Sequence, residues 1–278
     1  EAQAFLNPSM DHLNDPMLLS DIRKAVEIIR SHVEKGSRIC VYGDYDVDGI
    51  TATVLLQDYL KSCGVRCLRY IPRRIEDGYG LSRETIQGLY DQGATLLITV
   101  DCGITAVEEA KLCKALGMDL VITDHHECKE VLPNAAAVVD PHRPDGGYPH
   151  KDLSGVGVAF KLASALCGSQ EEVLDAYADM VCLGTVADVM PMRGENRVFV
   201  TQGLKALNRC HRPGLAALMK ECDCAPNSIT ASSIGFMLAP RINAAGRMEK
   251  IDLATELFLT KDPERATYLA KALCDMHL

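Results

Sequence analysis

The sequence has little that would let it stack against many nucleobases, because it contains no Trp and its aromatic residues make up only 5% of the chain. It also has no excess of positive charge. Its 29 Lys and Arg residues stand against 38 Asp and Glu residues, which gives a formal net charge of -9. These values exclude a protein that coats nucleic acid by bulk electrostatic attraction, so any contact with nucleic acid must be local.

Other common features are missing as well. No apolar run approaches the roughly 18 to 20 residues of a membrane-spanning helix, so we expect no membrane association. The twelve Cys residues include no C-x-x-C pair and mostly lie in apolar helix or strand patterns, which favours reduced, buried thiols in a cytoplasmic protein over disulfides or a zinc site. The motif G-x-x-x-x-G-K-[ST] is absent, which argues against nucleoside triphosphate hydrolysis by that route.

Short β-branched runs alternate with helical patterns over the first two thirds of the chain, which predicts β-α-β units. The expected strands are 38–42, 65–71, 96–100, 120–123 and 136–139. After Pro149 the patterns are helical only, at 156–167, 171–189, 196–209, 214–220, 228–238, 253–259 and from 263 onward. The predicted fold class is therefore α/β, with a parallel five-stranded (Rossmann-like) sheet flanked by helices and followed by a helical segment.

Acidic residues follow three of these expected strands. Because ligands of open α/β sheets bind beyond the carboxyl ends of the strands, we expect the acids to share one site. One Asp after a strand is usually a helix cap or a turn former, but carboxylates gathered from three strands repel one another unless cations or protons compensate. The residues are Asp44, Asp46 and Asp48 after the first strand, Asp101 after the third, and Asp124, His125 and His126 after the fourth.

The donor chemistry of this set indicates a site for one or two divalent metals. Carboxylates and imidazoles without thiolates suit Mn²⁺ or Mg²⁺ better than a structural zinc. The spacing of Asp44, Asp46 and Asp48 by two residues would place all three on one side of an extended loop. An EF-hand is excluded, because its twelfth position, which needs a Glu, is Leu55.

Four motifs resemble those of the DHH phosphoesterase superfamily: GDYDVDGITAT (43–53), VDCG (100–103), TDHH (123–126) and TVADVMPM (185–192). The segments LSGVGVAFKL (153–162) and PRINAAGRM (240–248) are similar to the RecJ branch of single-strand-specific exonucleases. Other branches typically carry a His at the position of Tyr42, which also favours the RecJ branch.

The resemblance implies a metal-dependent phosphodiester hydrolase that releases 5'-mononucleotides from single-stranded DNA in the 5'-to-3' direction, in recombination and repair. It implies a DHH catalytic domain over residues 1–192 and a helical extension with the start of a connector helix over 193–278. The chain has no initiating Met and its last helical pattern has no stop signal. We therefore expect a fragment without the DHH-associated and OB-type domains, through which other repair proteins could bind.

The resemblance also implies roles for individual residues. Asp48, Asp101, His125 and Asp188 would hold one Mn²⁺ or Mg²⁺, and Asp46 and Asp101 the other, so that Asp101 bridges two ions. Asp44 would assist the second ion or only orient the loop. Asp124 would orient an imidazole, and His126 would face the scissile phosphate as a charge stabiliser or proton donor, unless it is a structural histidine.

Contacts to the substrate are expected at two segments. The backbone N–H groups at Ser154, Gly155 and Gly157 could bind a phosphate, although a simple helix start is nearly as consistent with the pattern. Arg241, Asn243 and Arg247 are expected at the DNA backbone, unless the two Arg residues form surface salt bridges. Two basic clusters could equally touch DNA or face solvent: Lys61, Arg66, Arg69, Arg73 and Arg74, and Arg193, Arg197, Lys205, Arg209 and Arg212.

Two alternative functions stay open at the level of sequence. One is a DHH phosphodiesterase that acts on short oligonucleotides or cyclic dinucleotides. The other is a metal-binding scaffold that recruits repair partners without turnover. The intact acids and histidines of the four motifs disfavour the scaffold.

Overall fold

A computed structural model describes residues 5–73, 80–225 and 227–277. Five parallel strands form a single sheet in the order β2-β1-β3-β4-β5. The strands are β1 (Arg38–Tyr42), β2 (Cys67–Tyr70), β3 (Ala94–Val100), β4 (Asp119–Thr123) and β5 (Ala137–Val139). This sheet and the helices around it confirm the predicted fold class.

Helices connect the strands and then continue alone to the end of the chain. In the sheet region they are α1 (Ile22–Glu34), α2 (Val47–Ser62), α3 (Arg83–Asp91) and α4 (Val107–Leu116). The later helices are α5 (Gly155–Cys167), α6 (Gln170–Ala187), α7 (Gly194–Arg209), α8 (Pro213–Glu221), α9 (Ala239–Arg247), α10 (Ile251–Leu259) and α11 (Pro263–His277). No helix within the described ranges is both long and apolar enough to cross a membrane.

Both faces of the sheet are covered by apolar cores. Successive strand residues point to opposite sides, so each strand contributes to both cores. In β1, Ile39 and Val41 face the larger core, while Cys40 and Tyr42 face a smaller core beneath α3 and α4. The larger core continues without a break into the C-terminal helices and includes Leu273 of α11. One apolar core thus spans residue 192. The expected division of the chain into two domains at that residue stays a prediction.

The helix expected at 228–238 is wrong in extent and in type. The chain there forms a short turn at Ala231–Ser233, a π-helix at Ile234–Leu238 and then α9 without interruption. Because Pro240 lies within the first turn of α9, its missing N–H group costs no hydrogen bond and the helix continues. All twelve cysteines are free, but only half of them are buried and Cys63 is exposed.

A buried ion pair joins the helical segment to the start of the chain. Lys161 of α5 and Glu195 of α7 form a salt bridge, and both side chains are almost fully buried. The Lys161 ammonium also donates to the Asn14 carbonyl at 2.8 Å, and Glu195 accepts from the Tyr148 hydroxyl at 2.7 Å. Every charged atom of the pair is thus supported, which a buried pair requires.

Replacing Lys161 with Met should lower the free energy of unfolding by about 3 kcal/mol, because Glu195 would keep an uncompensated buried charge. Urea denaturation measures this. The double variant Lys161→Met/Glu195→Gln should recover part of the loss. Lys111 forms an exposed ion pair with Glu108, and Lys111→Met should lower the free energy of unfolding by less than about 1 kcal/mol. Equal effects at the two lysines would contradict this account of the ion pair.

Candidate metal centre

The acidic residues of four segments meet at the carboxyl edge of the sheet. Ligand atoms of Asp44, Asp46 and Asp101 lie within 4.8 Å of one another, and so do those of Asp48, His125 and Asp188. A third group joins Asp101, His125 and His126. The structure therefore brings together all six residues expected to hold metal, and Asp101 and His125 each belong to two groups.

The first motif does not form the extended loop that its spacing suggested. Asp46 caps the N-terminus of α2 by accepting from the Gly49 N–H at 2.9 Å, and Asp48 lies inside the first helical turn. Because the helix rotates Asp48 away from the other two, it joins the group with His125, while Asp44 and Asp46 face Asp101. The three acids still converge on one centre, but from two sides.

Asp101 occupies the middle of the centre. Its backbone is in the left-handed region (φ 61°), where a non-glycine residue is strained, and only 2% of its surface is exposed. Its Oδ1 atom makes no hydrogen bond among the described residues, although it lies 3.0 Å from Nε2 of His125. A buried acceptor without a donor is expected where a cation supplies the missing contact.

His125 is held as a neutral imidazole. Burial and the neighbouring His126 lower its pKa to about 4. Its Nε2 faces Asp101, Asp48 and Asp188 at 3.0, 3.8 and 3.7 Å, and the ring is hydrogen-bonded to the backbone of Leu153. With the other ring nitrogen bound to a carbonyl, Nε2 carries the lone pair that a metal needs.

His126 has the opposite protonation state. Its Nδ1 lies 2.7 Å from Oδ1 of Asp124, and this hydrogen bond, opposed by burial, raises the pKa of His126 to about 9. Burial alone would raise the pKa of Asp124, but the bond from His126 and the N–H groups of Ile104 and His125 bring it below its usual value. His126 is therefore cationic at neutral pH, and 45% of its side chain is exposed.

The carboxylates raise one another's pKa. Burial, followed by the charge of Asp46, raises the pKa of Asp44 to about 7 and that of Asp188 to about 6. Burial and neighbouring carboxylates raise the pKa of Asp48 and of Asp101 well above the usual value. The repulsion comes from like charges packed together, which divalent cations would relieve.

The N-terminus of α5 binds Asp48 instead of standing free. The N–H groups of Gly155 and Val156 donate to the two carboxylate oxygens of Asp48 at 2.6 and 2.9 Å. The Gly157 N–H donates to the Ser154 hydroxyl at 3.2 Å. The phosphate contact expected at Ser154, Gly155 and Gly157 stays a prediction, although the N–H groups of Gly155 and Gly157 are engaged within the protein in this structure. The N–H groups of Gly155 and Val156 orient a carboxylate of the centre at the positive end of a helix.

Two glycines leave the space in which the carboxylates sit. A Cβ atom at Gly155 would lie 2.5 Å from Cβ of Asp101, and one at Gly184 would lie 2.5 Å from Oδ1 of Asp48 and 2.7 Å from Oγ1 of Thr51. Atoms that are not bonded to each other cannot come this close, so a Cβ at either position would displace the backbone or a carboxylate. The close approach of α5 and α6 to the acids thus depends on these two residues.

The segment 240–248 supports the first motif from the other side. The side-chain oxygen of Asn243 accepts from the Val47 N–H at 3.1 Å, and a Cβ at Gly246 would collide with the Tyr45 carbonyl. Asn243 is thereby assigned a positioning contact that the expected DNA role did not include. Arg241 is half-buried and donates to the Met237 carbonyl at 2.7 Å, whereas Arg247 is exposed.

The two basic clusters are used unequally within the protein. Arg193 pairs with Asp152 at 2.8 Å and Arg212 with Asp179 at 2.7 Å, so part of the second cluster serves internal contacts. In the first cluster, Arg69 and Arg73 line a polar cavity of about 320 Å³ beside the end of β2. Arg74 lies outside the described residues.

The sequence analysis missed Asp140, which directly follows β5. It is 1% exposed, its Oδ2 has no hydrogen-bond partner among the described residues, and burial raises its pKa to about 8. The signal was present, because the expected strand 136–139 also ends in acid. Leu153, which contacts His125 through its backbone, carried no signal in the sequence.

Comparison with known proteins adds independent findings. The family model described as the DHH family, N-terminal domain, matches residues 38–185. The single-stranded-DNA-specific exonuclease RecJ of Bacillus subtilis is 40% identical over 97% of this chain and 34% of its own length. Across the curated relatives that we compared, the chain spans a third to a half of their length.

Solved structures agree with this similarity. The crystal structure of RecJ from Thermus thermophilus in complex with Mn²⁺ matches with a TM-score of 0.82 at 32% identity, over 99% of this chain and 39% of that chain. A crystal structure of exonuclease RecJ bound to manganese matches with a TM-score of 0.83 at 34% identity, over 93% of this chain and 66% of that chain.

The geometry around Asp101 predicts the effect of a single methyl group. Gly155→Ala should weaken Mn²⁺ binding by about 10- to 100-fold, because the new Cβ displaces the Asp101 side chain or the start of α5. Isothermal titration calorimetry with Mn²⁺ measures this. The control is Gly88→Ala in α3, where a Cβ meets no atom within 4 Å. Unchanged Mn²⁺ affinity in the Gly155 variant would show that Asp101 does not position the ion.

Proposed function

The chain belongs to the DHH family, and on that premise we propose that it is the catalytic core of a RecJ-like exonuclease. The reaction is hydrolysis of phosphodiester bonds in single-stranded DNA, from the 5' end, with release of 5'-mononucleotides. The observation that carries the proposal is the group of carboxylates and imidazoles around Asp101, which comes from all four DHH motifs. The relatives named as single-stranded-DNA-specific exonucleases support the substrate.

The residues fit two divalent cations. Asp48, Asp101, His125 and Asp188 would hold one Mn²⁺ or Mg²⁺, and Asp46 and Asp101 the other, with Asp44 as an added oxygen donor beside Asp46. Oxygen and imidazole donors suit these ions. The unpaired Asp101 Oδ1 and the raised pKa values of the carboxylates point to positive charge at the same place. RecJ structures in complex with Mn²⁺ and Mg²⁺ support this choice of metal.

The bound ions would lower the pKa of a water nucleophile and neutralise charge on the phosphate. The chain's own residues supply the remaining steps. His126, cationic and partly exposed, would stabilise the charge that grows on the phosphate and donate a proton to the leaving oxygen. Asp124 keeps His126 protonated and oriented through the 2.7 Å hydrogen bond, so we assign Asp124 a positioning role.

DNA contacts must be local, because the chain as a whole is acidic. Arg247 is exposed next to the segment that supports the first motif, and Arg241 lies one turn earlier in α9. Arg69 and Arg73 line the cavity beside β2, where Arg69 pairs with the exposed Asp252 at 3.6 Å. We propose that Arg247, Arg241, Arg69 and Arg73 bind the phosphates of the strand outside the metal centre.

The same proposal includes the location and the partners of the protein. A protein that digests DNA in recombination and repair would act in the cytoplasm. The longer relatives contain parts that this chain does not match, and equivalent parts would bind other repair proteins.

The alternative substrate, a short oligonucleotide or a cyclic dinucleotide, receives less support. Tyr42 occupies the position at which other branches carry a His, and its hydroxyl donates to the Gly80 carbonyl at 2.8 Å. At this position the chain therefore offers no imidazole to a metal.

The central test compares Asp101→Ala and Asp101→Asn with wild type on a 3'-labelled single strand in Mn²⁺. Wild type should shorten the strand stepwise, release labelled mononucleotide at once from a 5'-labelled copy, and spare a matched duplex. Both variants should lose cleavage, since the shared ligand is gone. Asp91→Asn, an exposed carboxylate at the end of α3, is the control and should cleave normally.

A second readout separates loss of metal from loss of fold. Without metal, Asp101→Asn should melt at a higher temperature than wild type at pH 8, because burial and then the neighbouring carboxylates raise the pKa of Asp101 well above its usual value and make its charged form costly to the fold. Full cleavage by either variant would overturn the two-metal assignment. Faster turnover of a dinucleotide than of the long strand by wild type would favour the alternative substrate.

A further inference from the structure

The end of α6, next to the metal centre, has an unusual residue at a position that normally requires glycine. The Met190 N–H donates to the Thr185 carbonyl at 3.2 Å and the Val189 N–H donates to the Val186 carbonyl at 3.1 Å. This pair of bonds is the Schellman closure of a helix, in which the residue at the position of Val189 must be left-handed. Val189 has φ 56°.

The same chain uses glycine at the equivalent position of other helices. Gly36, Gly64 and Gly117 follow α1, α2 and α4 with φ between 65° and 78° and the same bonding pattern. Asp223 and Glu249 close α8 and α9 in the left-handed region, but neither is branched at Cβ. Val189 is the one β-branched residue with positive φ in the described part of the chain, and it is strained there.

Packing does not offset this strain. The Val189 residue is 84% exposed, so its methyl groups bury almost no surface against the protein. Glycine would close the helix without strain and without loss of a core contact. The side chain is therefore a cost to the fold, and strain of this kind is retained mainly at functional sites.

The position of Val189 indicates what the side chain meets. It directly follows Asp188, whose side chain is 29% exposed, and His126 on the same centre is 45% exposed. Asp48 and Asp101 are almost completely buried. The described residues thus leave Asp188 and His126 among the open members of the centre, and Val189 is the exposed residue next to Asp188 in the chain.

We propose that Val189 contacts the base of the 5'-terminal nucleotide, which is the one released. Two methyl groups cannot bind a phosphate, because they offer neither charge nor a hydrogen bond, so the face of the base is the matching surface. The scarcity of aromatic residues is consistent with an aliphatic contact in place of ring stacking. The inference deepens the proposed function and depends on it.

The test uses Val189→Gly with two single strands that differ only in their 5'-terminal nucleotide, which is normal in one and abasic in the other. On the normal strand, kcat/KM should fall by about 10-fold or more, as expected for loss of an apolar contact in the transition state. On the abasic strand the variant and wild type should differ by less than about 3-fold, since the contact is missing in both. Val189→Ile should keep the wild-type preference for the normal strand.

Two further measurements exclude a merely structural effect. Val189→Gly should bind Mn²⁺ as wild type does and should melt a few degrees higher, because the strain is relieved. The matched control is Asp223→Gly at the same position of α8, which should also melt higher but should not change the ratio of rates on the two strands.

Specific outcomes overturn the proposal. If Val189→Gly keeps full activity on the normal strand, or loses activity equally on both strands while binding Mn²⁺ normally, Val189 does not contact the base. If wild type cleaves neither strand although it binds Mn²⁺, the proposed exonuclease function fails and this inference fails with it. A selective loss on the normal strand supports both.

Discussion

Repulsion among buried carboxylates is the constraint on which the rest of this structure depends. Asp44, Asp48, Asp101 and Asp188 all have raised pKa values, mainly from burial and then from neighbouring carboxylates. A fold can hold such a group only if something supplies positive potential. The N-terminus of α5 does so for Asp48, and cations are needed for the rest.

The two histidines of the third motif show how neighbouring residues receive opposite properties. His125 is buried beside another imidazole and stays neutral, so it can offer a lone pair to a metal. His126 is partly exposed and bonded to Asp124, so it stays charged. In the proposed function, the turn after β4 would therefore supply both a metal ligand and a proton donor. Two strained backbones lie at or beside candidate ligands, at Asp101 itself and at Val189, which follows Asp188.

The sequence was sufficient to predict the parallel sheet and the meeting of the acids. Short β-branched runs mark the strands, and parallel strands place their carboxyl ends at one edge, so Asp101 and Asp124 had to lie close together. The contact of Asp48 with the N-terminus of α5 and the roles of Gly155 and Gly184 were not predictable, because they depend on how two helices pack against that edge. The same holds for the contact of Asn243 in α9 with the first motif.

The proposal that Asp101 joins two metal ions can be tested in crystals grown with Mn²⁺. Anomalous scattering at the manganese edge locates each ion without reference to activity. The account predicts two peaks per chain, both within bonding distance of Asp101, one also contacting Asp48, His125 and Asp188 and the other Asp46. A single peak, or a second peak that does not touch Asp101, would contradict it.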